Sequence, residues 1–153
     1  MARYFFDTSA FTKFYHPEIG SERVTAIVRD PASILQIANL AILETQSAFA
    51  MKVRTGSLEP TSAEATMDKV FQDIAGGLFV AVKLDASHVD GARSLVAKYG
   101  YTRRMRTLDA LQLSVAIELR RRNFLDTFVV ADRLLAAVAE LEGLVVENPE
   151  DLP

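Results

Sequence analysis

Short apolar segments alternate along the chain with longer segments in which apolar residues recur at helical spacing. The short segments are rich in Phe, Val, Ile and Leu, and most of them do not alternate between apolar and polar positions. Such runs are typical of strands that are buried on both faces of a sheet. The predicted strands are Arg3–Phe6, Ser33–Ile37, Leu78–Val82, Thr127–Ala131 and Leu144–Val146.

Helices are predicted between these strands and after them, and most end at a proline, a glycine or an asparagine. Thr61 followed by Glu64 has the spacing of a capping box at the start of one helix. Strands that alternate with helices predict parallel crossovers and an α/β sandwich whose sheet is covered on both faces. The predicted helices are Thr8–Tyr15, Ser21–Arg29, Leu40–Val53, Thr61–Ala75, Ala86–Tyr99, Leu108–Arg122 and Arg133–Glu142.

Composition narrows the class of protein. The 153 residues fit a single domain, and half of them are hydrophobic, which is enough for a sizeable core. Cysteine is absent, which excludes disulfides and thiolate metal sites and suits a cytoplasmic location. We expect neither a secretory signal nor a membrane span. The net charge of −3 argues against a uniformly basic nucleic-acid coat but is compatible with a local basic patch.

Two acidic residues follow apolar strands directly. Asp7 comes after the predicted first strand, and Asp132 comes after the predicted fourth strand. Either residue can serve as the N-cap of the next helix, which is the simpler interpretation. Capping and metal binding are compatible because a carboxylate can use different oxygens for each.

Two further acids lie on predicted helices. Glu44 has mostly apolar or small neighbours at helical spacing, so we expect it to face inward, where an unpaired carboxylate is unfavourable. A cation, a basic side chain, hydrogen bonds or a structural ion pair would then have to offset that burial. Asp109 opens an apolar helix, where Thr107 is a possible cap and an acid in the first turn favours the helix dipole.

The four acids together favour a metal site over four separate structural roles. In a parallel sheet the carboxyl ends of the strands share one edge, and ligand sites form there. Carboxylates gathered at that edge would repel one another unless a cation neutralised them. Oxygen ligands without Cys or a suitable pair of His favour Mg²⁺ or Mn²⁺, which commonly engage phosphate substrates.

Several short motifs resemble those of PIN domains, specifically the VapC-type toxins of bacterial toxin–antitoxin pairs. The resemblance extends over almost the whole chain, and its specificity lies in the order and spacing of the motifs. They read YFFDTSA at 4–10, LE at 43–44, LDALQL at 108–113, VVADRLL at 129–135 and GLVVENP at 143–149.

The resemblance implies a three-layer α/β/α fold with a central five-stranded parallel sheet, here one PIN domain over residues 1–153. It also implies Mg²⁺- or Mn²⁺-dependent endonucleolytic cleavage of RNA, a homodimer and inhibition by a cognate antitoxin protein. The residues that match the family's site are the acids Asp7, Glu44, Asp109 and Asp132, of which Asp7, Asp109 and Asp132 would hold the metal. Ser9 is the best match for a supporting hydroxyl, with Thr8 as the second choice.

The chain departs from many relatives at two positions. Gln112 stands where many relatives have His, and Ala131 stands where many have Thr or Ser before the fourth acid. The contacts of that imidazole and that hydroxyl are therefore not expected here. All four acids are present, so we interpret the chain as an active enzyme.

The remaining candidates are basic and aromatic residues. Arg104 and Arg106, together with Arg103, could contact RNA phosphates or pair with acids of the site, although a solvated loop is the simpler interpretation. His16 and His88 are expected at the surface. An apolar stripe on the first helix is expected to pack in the core, with an antitoxin groove as the alternative. It comprises Phe11, Phe14 and Tyr15.

Two other functions remain possible from the sequence. The first is a non-catalytic PIN-like module that binds RNA or protein, which a missing acid would favour. The second is a phosphotransfer enzyme on a similar sheet. The haloacid-dehalogenase pattern requires an Asp where this chain has Ser9, and the adjacent acids of a receiver domain are absent. No glycine-rich phosphate-binding motif is present either.

Overall fold

A computed structural model describes residues 1–151 and contains one parallel sheet with helices on both of its faces. The strands are Ala2–Phe6 (β1), Ser33–Ala38 (β2), Val80–Val82 (β3), Thr127–Val129 (β4) and Val146–Glu147 (β5). The helices are Thr8–Tyr15 (α1), Ser21–Arg29 (α2), Asn39–Arg54 (α3), Pro60–Ala75 (α4), Ala86–Tyr99 (α5), Thr107–Arg121 (α6) and Arg133–Leu141 (α7).

The five strands are all parallel and lie in the order β3-β2-β1-β4-β5. β1 is central, with Phe5 opposite Gln36 of β2 and opposite Phe128 of β4. The chain therefore builds outward from β1 to β3, then crosses to the other side of β1 for β4 and β5. This confirms the predicted three-layer α/β/α sandwich with a five-stranded parallel sheet.

Two hydrophobic cores fill the space between the sheet and its helices. Successive residues of a strand point to opposite faces, so Phe5 and Phe128 enter one core while Phe6 and Val129 enter the other. The first core is closed by α5, α6 and α7, and the second by α1, α2, α3 and α4. Burial on both faces explains why these strands lack alternating polar positions. Phe11 packs edge-on against Phe79 in the second core, as the core interpretation of α1 predicts.

Three strands are shorter than predicted or displaced. β3 begins at Val80 rather than Leu78, and β5 begins at Val146 rather than Leu144. In both cases the leucine N–H bonds back to the preceding helix, from Leu78 to Asp73 O at 2.8 Å and from Leu144 to Ala139 O at 3.1 Å. These leucines end α4 and α7 after a glycine with positive φ, and are unavailable to the sheet. β4 ends at Val129 rather than Ala131.

Three predicted helix starts are each one residue too late. α3 begins at Asn39 rather than Leu40. α4 begins at Pro60 with Glu59 as its N-cap, so Thr61 lies inside the helix and forms no capping box. Proline suits the first helical position because its missing N–H would have no helical partner there. α6 begins at Thr107 itself, with Arg106 as N-cap and no side-chain cap.

The surface prediction for the histidines is wrong for His88. Its side chain is buried between α5 and α6, where Nδ1 accepts a hydrogen bond from Asp85 N at 3.0 Å and Nε2 contacts Glu118. His16 is half-buried and tilted over Phe49. No helix in the described part of the chain has both the length and the apolar character needed to span a bilayer.

Candidate active site

The four predicted acids lie around the carboxyl ends of β1 and β4. Asp7 follows β1 directly, and Asp132 follows β4 after Val130 and Ala131. The chain turns to opposite sides of the sheet after these two strands, and the crevice at such a reversal is where ligands bind in open parallel sheets. Asp109 in the first turn of α6 and Glu44 in the second turn of α3 approach the same crevice.

Asp7 is a buried carboxylate at the junction of β1 and α1. Its Oδ2 accepts hydrogen bonds from Ser9 N at 3.0 Å and Ser9 Oγ at 2.6 Å, so it caps α1 as the sequence predicts. Burial, with smaller contributions from the charges of Glu44 and Asp109, raises the pKa of Asp7 to about 6 despite the lowering effect of the Ser9 hydrogen bonds. The carboxylate is held where its charge is poorly solvated.

The Ser9 hydroxyl joins the two strand ends. It donates to Asp7, and its oxygen accepts hydrogen bonds from Ala131 N at 3.0 Å and Asp132 N at 3.3 Å. The segment after β4 is thereby fixed against the start of α1. Ser9 contacts protein groups here, and its role in supporting a metal or a substrate stays a prediction.

Asp109 and Asp132 are joined by Arg106. The guanidinium donates from Nε to Asp109 Oδ2 at 3.0 Å and from Nη2 to Asp132 Oδ2 at 3.2 Å. The hydrogen bond to Asp109 raises the pKa of Arg106, with a further contribution from the charges of Asp132 and Asp7. Asp132 Oδ1 meanwhile caps α7 by accepting from Leu134 N at 2.9 Å and Leu135 N at 3.0 Å.

Glu44 is half-buried and hydrogen-bonded, which is only part of what its sequence context predicts. The inward face of α3 is formed by Ala41, Thr45 and Phe49, so Glu44 lies at the edge of that face. Its Oε1 accepts from Thr8 Oγ1 at 2.9 Å and from Gln112 Nε2 at 2.9 Å. Neutral hydrogen-bond donors, not a basic partner, satisfy this carboxylate.

Gln112 is the residue of the site that sequence reasoning missed. The sequence marks it only as a replacement for His, yet the side chain is 1% exposed and also donates to Thr8 Oγ1 at 2.8 Å. Its one sequence signal is an amide among apolar neighbours one turn after Asp109. Thr8, expected to be a second supporting hydroxyl, is the link between Gln112 and Glu44.

The other basic candidates lie in the segment before α6. The side chains of Arg103 and Arg104 are exposed and form no hydrogen bond or ion pair with any residue in the range 1–151. They remain available to an external anion. Arg106, by contrast, is committed to the acids of the site.

The donor atoms fit a hard divalent cation, but they do not form a closed metal site. Over residues 1–151, no group of three or more Asp, Glu, His or Cys side chains is arranged to hold a metal ion. Asp7 Oδ1 and Asp109 Oδ1 nevertheless receive no hydrogen bond from the described residues. These two oxygens, one of them on the aspartate whose pKa is raised, are therefore suitable ligands for Mg²⁺ or Mn²⁺.

Several solved structures are similar to this chain in fold. Mycobacterium tuberculosis VapC20, described as a sarcin–ricin loop cleaving toxin, shares 15% identity over 98% of this chain and 99% of its own, with a TM-score of 0.66. FitAcB from Neisseria gonorrhoeae shares 19% identity over 97% and 99% of the two chains, with a TM-score of 0.64.

A third structure is VapBC2 from Rickettsia felis bound to a DNA fragment from its promoter. It shares 15% identity with this chain over 95% of this chain and 98% of its own, with a TM-score of 0.63. These likenesses establish the fold. The comparison with curated protein sequences finds no match. The profile of the family described as PIN domain matches residues 4–128, which is most of the chain and includes three of the four acids. This chain therefore belongs to the PIN domain family.

Proposed function

We propose that this chain is an endoribonuclease that depends on Mg²⁺ or Mn²⁺ and acts as the toxin of a type II toxin–antitoxin pair. The observation that carries the proposal is the gathering of Asp7, Glu44, Asp109 and Asp132 at one crevice, where the buried Asp7 has a pKa of about 6. Membership of the PIN domain family and the similarity to a toxin described as cleaving the sarcin–ricin loop support the same reaction.

The proposed metal ligands are Asp7, Asp109 and Asp132. A divalent cation bound there would activate a water and stabilise the leaving oxygen of a phosphodiester. Asp7 must be ionised to bind it, and Ser9 keeps the Asp7 carboxylate aimed by bonding to Oδ2 alone. Asp132 lies beyond the end of the family match, so its role depends on its contact with Arg106 and on its place after β4.

The arginines before α6 would serve the RNA backbone. Arg106 now bonds to two acids of the site, and a cation that took over their charge would release its guanidinium for a phosphate. Arg104 is exposed on the same segment and is free of ion pairs within residues 1–151. Both charges would bind the substrate without reading its sequence.

The proposed partners are an RNA substrate, a cognate antitoxin and a second copy of the chain. Solved structures with this fold include VapBC2 and FitAB complexes with DNA, which supports an antitoxin partner. The homodimer, a single domain over 1–153 and a cytoplasmic location stay predictions, and Leu152 and Pro153 lie outside the described residues.

The test is cleavage of single-stranded RNA by the purified chain with Mg²⁺ or Mn²⁺, with and without a chelator. We expect cleavage that the chelator abolishes and that Asp7→Asn removes. Asp90→Asn is the matched control, because Asp90 is an exposed aspartate that is paired with Arg93 on α5 and has no other ion pair within residues 1–151. Cleavage that survives in Asp7→Asn would indicate a contaminating nuclease. RNA binding without cleavage would favour the non-catalytic PIN-like module.

A further inference from the structure

The Gln112 amide nitrogen contacts two groups at the acidic crevice. Nε2 donates to Glu44 Oε1 at 2.9 Å and to Thr8 Oγ1 at 2.8 Å. The Thr8 hydroxyl donates a hydrogen bond to the same Glu44 oxygen at 2.9 Å. Glu44 is therefore held by one direct contact and by a second contact through Thr8.

The other end of the same amide is left without a partner. Gln112 Oε1 is buried and accepts no hydrogen bond from the described residues. A buried carbonyl without a donor destabilises the folded chain. Reversing the amide would not help, because its oxygen would then face the Glu44 carboxylate. The hydrogen bonds to Glu44 and Thr8 therefore fix the orientation of the amide. Because this orientation leaves Oε1 without a donor, the folded chain is less stable.

We propose that Gln112 is a positioning residue that fixes the Glu44 carboxylate in the active site, directly and through Thr8. The inference rests on the proposed ribonuclease function. It explains why an amide occupies a fully buried position of α6 and why one of its two polar atoms is unsatisfied. Buried polar groups that lower stability without stabilising another part of the structure are concentrated at functional sites.

An amide suits this role because it is neutral. It supplies two donors at any pH and leaves the full negative charge of Glu44 in place for a cation or its water ligands. A lysine or arginine at the same position would hold Glu44 equally well but would cancel its charge. The charge of Glu44 does reach the neighbouring acid, since it contributes to the raised pKa of Asp7.

The chain contains a matched control for Gln112. Gln36 on β2 is also buried, and its Nε2 donates to Phe124 O at 2.8 Å, with no contact to any acid of the site. Gln112→Met and Gln36→Met each replace a buried amide by an unbranched apolar side chain of similar size. Only the first change removes a contact with Glu44.

The first measurement is steady-state cleavage of a fluorogenic RNA by both variants. For Gln112→Met we expect kcat to fall about tenfold or more with KM changed less than about twofold, because Glu44 keeps its charge but loses its orientation. Its melting temperature should stay at or above the wild-type value because the unsatisfied Oε1 is gone. Gln36→Met should melt earlier, with kcat unchanged. An unchanged kcat in Gln112→Met would overturn the proposal.

The second measurement does not need ribonuclease activity. Urea unfolding of Gln112→Met, Glu44→Met and the double variant forms a cycle that reports the coupling between the two side chains. We expect clearly non-additive midpoints, and additive midpoints would overturn the proposal whether or not the protein cleaves RNA. If the cycle shows coupling but the wild-type chain cleaves no RNA, the ribonuclease function and the positioning role of Gln112 in an active site are both overturned. The contact between Gln112 and Glu44 would then be purely structural.

Discussion

Replacing Asp7 by Asn should stabilise the metal-free protein at neutral and alkaline pH. The pKa of this buried carboxyl is raised from 3.8 to about 6, chiefly by burial. A raised pKa means that the folded chain favours the protonated form. The stability that this group contributes is fully present below pH 3.8 and is lost as the pH rises through about 6. Asn keeps an oxygen that can accept the two hydrogen bonds from Ser9 and carries no charge at any pH.

The magnitude follows from the size of the pKa shift. Two units separate the folded and unfolded values, at about 1.4 kcal/mol each, so the ionised Asp7 destabilises the fold by about 3 kcal/mol at pH 8. At pH 4.5 the Asp7 carboxyl is mostly protonated in the folded chain, and the same calculation gives a destabilisation of about 1 kcal/mol. The stability difference between Asp7→Asn and wild type should therefore grow by about 2 kcal/mol between these two pH values.

Urea unfolding at pH 4.5 and pH 8 in the presence of EDTA measures this difference. Asp126→Asn is the control of opposite sign, because a hydrogen bond from Arg3 lowers the pKa of Asp126 to about 2. Its removal should destabilise the protein at pH 8, with an effect that shrinks as the pH falls through about 2. A loss of stability in Asp7→Asn at pH 8 would refute the burial argument, as would a difference that does not change with pH.

The same variant tests the metal without an activity assay. A cation at the crevice would bind the ionised form of Asp7 and so remove the penalty that burial imposes. Adding Mn²⁺ at pH 8 should raise the unfolding midpoint of the wild-type chain, by an amount that grows with the logarithm of the metal concentration. The midpoint of Asp7→Asn should move much less. Equal shifts in the two proteins would place the cation elsewhere.

Three smaller changes complete the set. Ser9→Ala should lower stability by about 1–3 kcal/mol in urea unfolding, because two backbone N–H groups and a buried carboxylate each lose a partner. Arg106→Gln should tighten Mn²⁺ binding in calorimetry by removing a competing cation, whereas Arg93→Gln, in an exposed pair on α5, should leave it unchanged. Glu44→Gln should leave the metal-free protein as stable as wild type or more stable, since an amide oxygen can still accept both hydrogen bonds; a loss of several kcal/mol would contradict this.

The parallel sheet and the places of Asp7 and Asp132 were predictable because local rules govern them. A doubly buried strand requires a continuous apolar run, and a parallel sheet places the ends of its strands at one edge. The residue that follows such a strand and opens a helix is therefore located by sequence alone. The same rules misplaced the starts of β3 and β5, because Leu78 and Leu144 are apolar but use their N–H groups to end helices.

Glu44 shows why a helix face is harder to predict. Thr45 is polar in the sequence, yet it is fully buried, because its hydroxyl donates to Ala41 O at 2.7 Å within the same helix. The predicted inward face of α3 rested on the apolar or small neighbours of Glu44 and did not include Thr45. The hydrogen bonds between the side chains of the site could not be predicted from the sequence for another reason. Gln112 and Thr8 are 104 residues apart, and no local pattern records their hydrogen bond.

The case for a functional site does not depend on the family alone, because unfavourable features of this fold meet at one crevice. Buried polar groups elsewhere are partnered, as Lys13 is by Glu18 and Glu150. Ser33 Oγ is the exception outside the crevice within the described chain. At the crevice a buried carboxyl meets like charges, and an amide leaves its oxygen unsatisfied. Apolar substitutions would remove both unfavourable features, so selection for folding alone does not explain why the sequence retains them. A bound cation would relieve the repulsion, and the proposed positioning of Glu44 would account for the unsatisfied amide. The two features that destabilise the metal-free protein are thus the ones that the proposed chemistry requires.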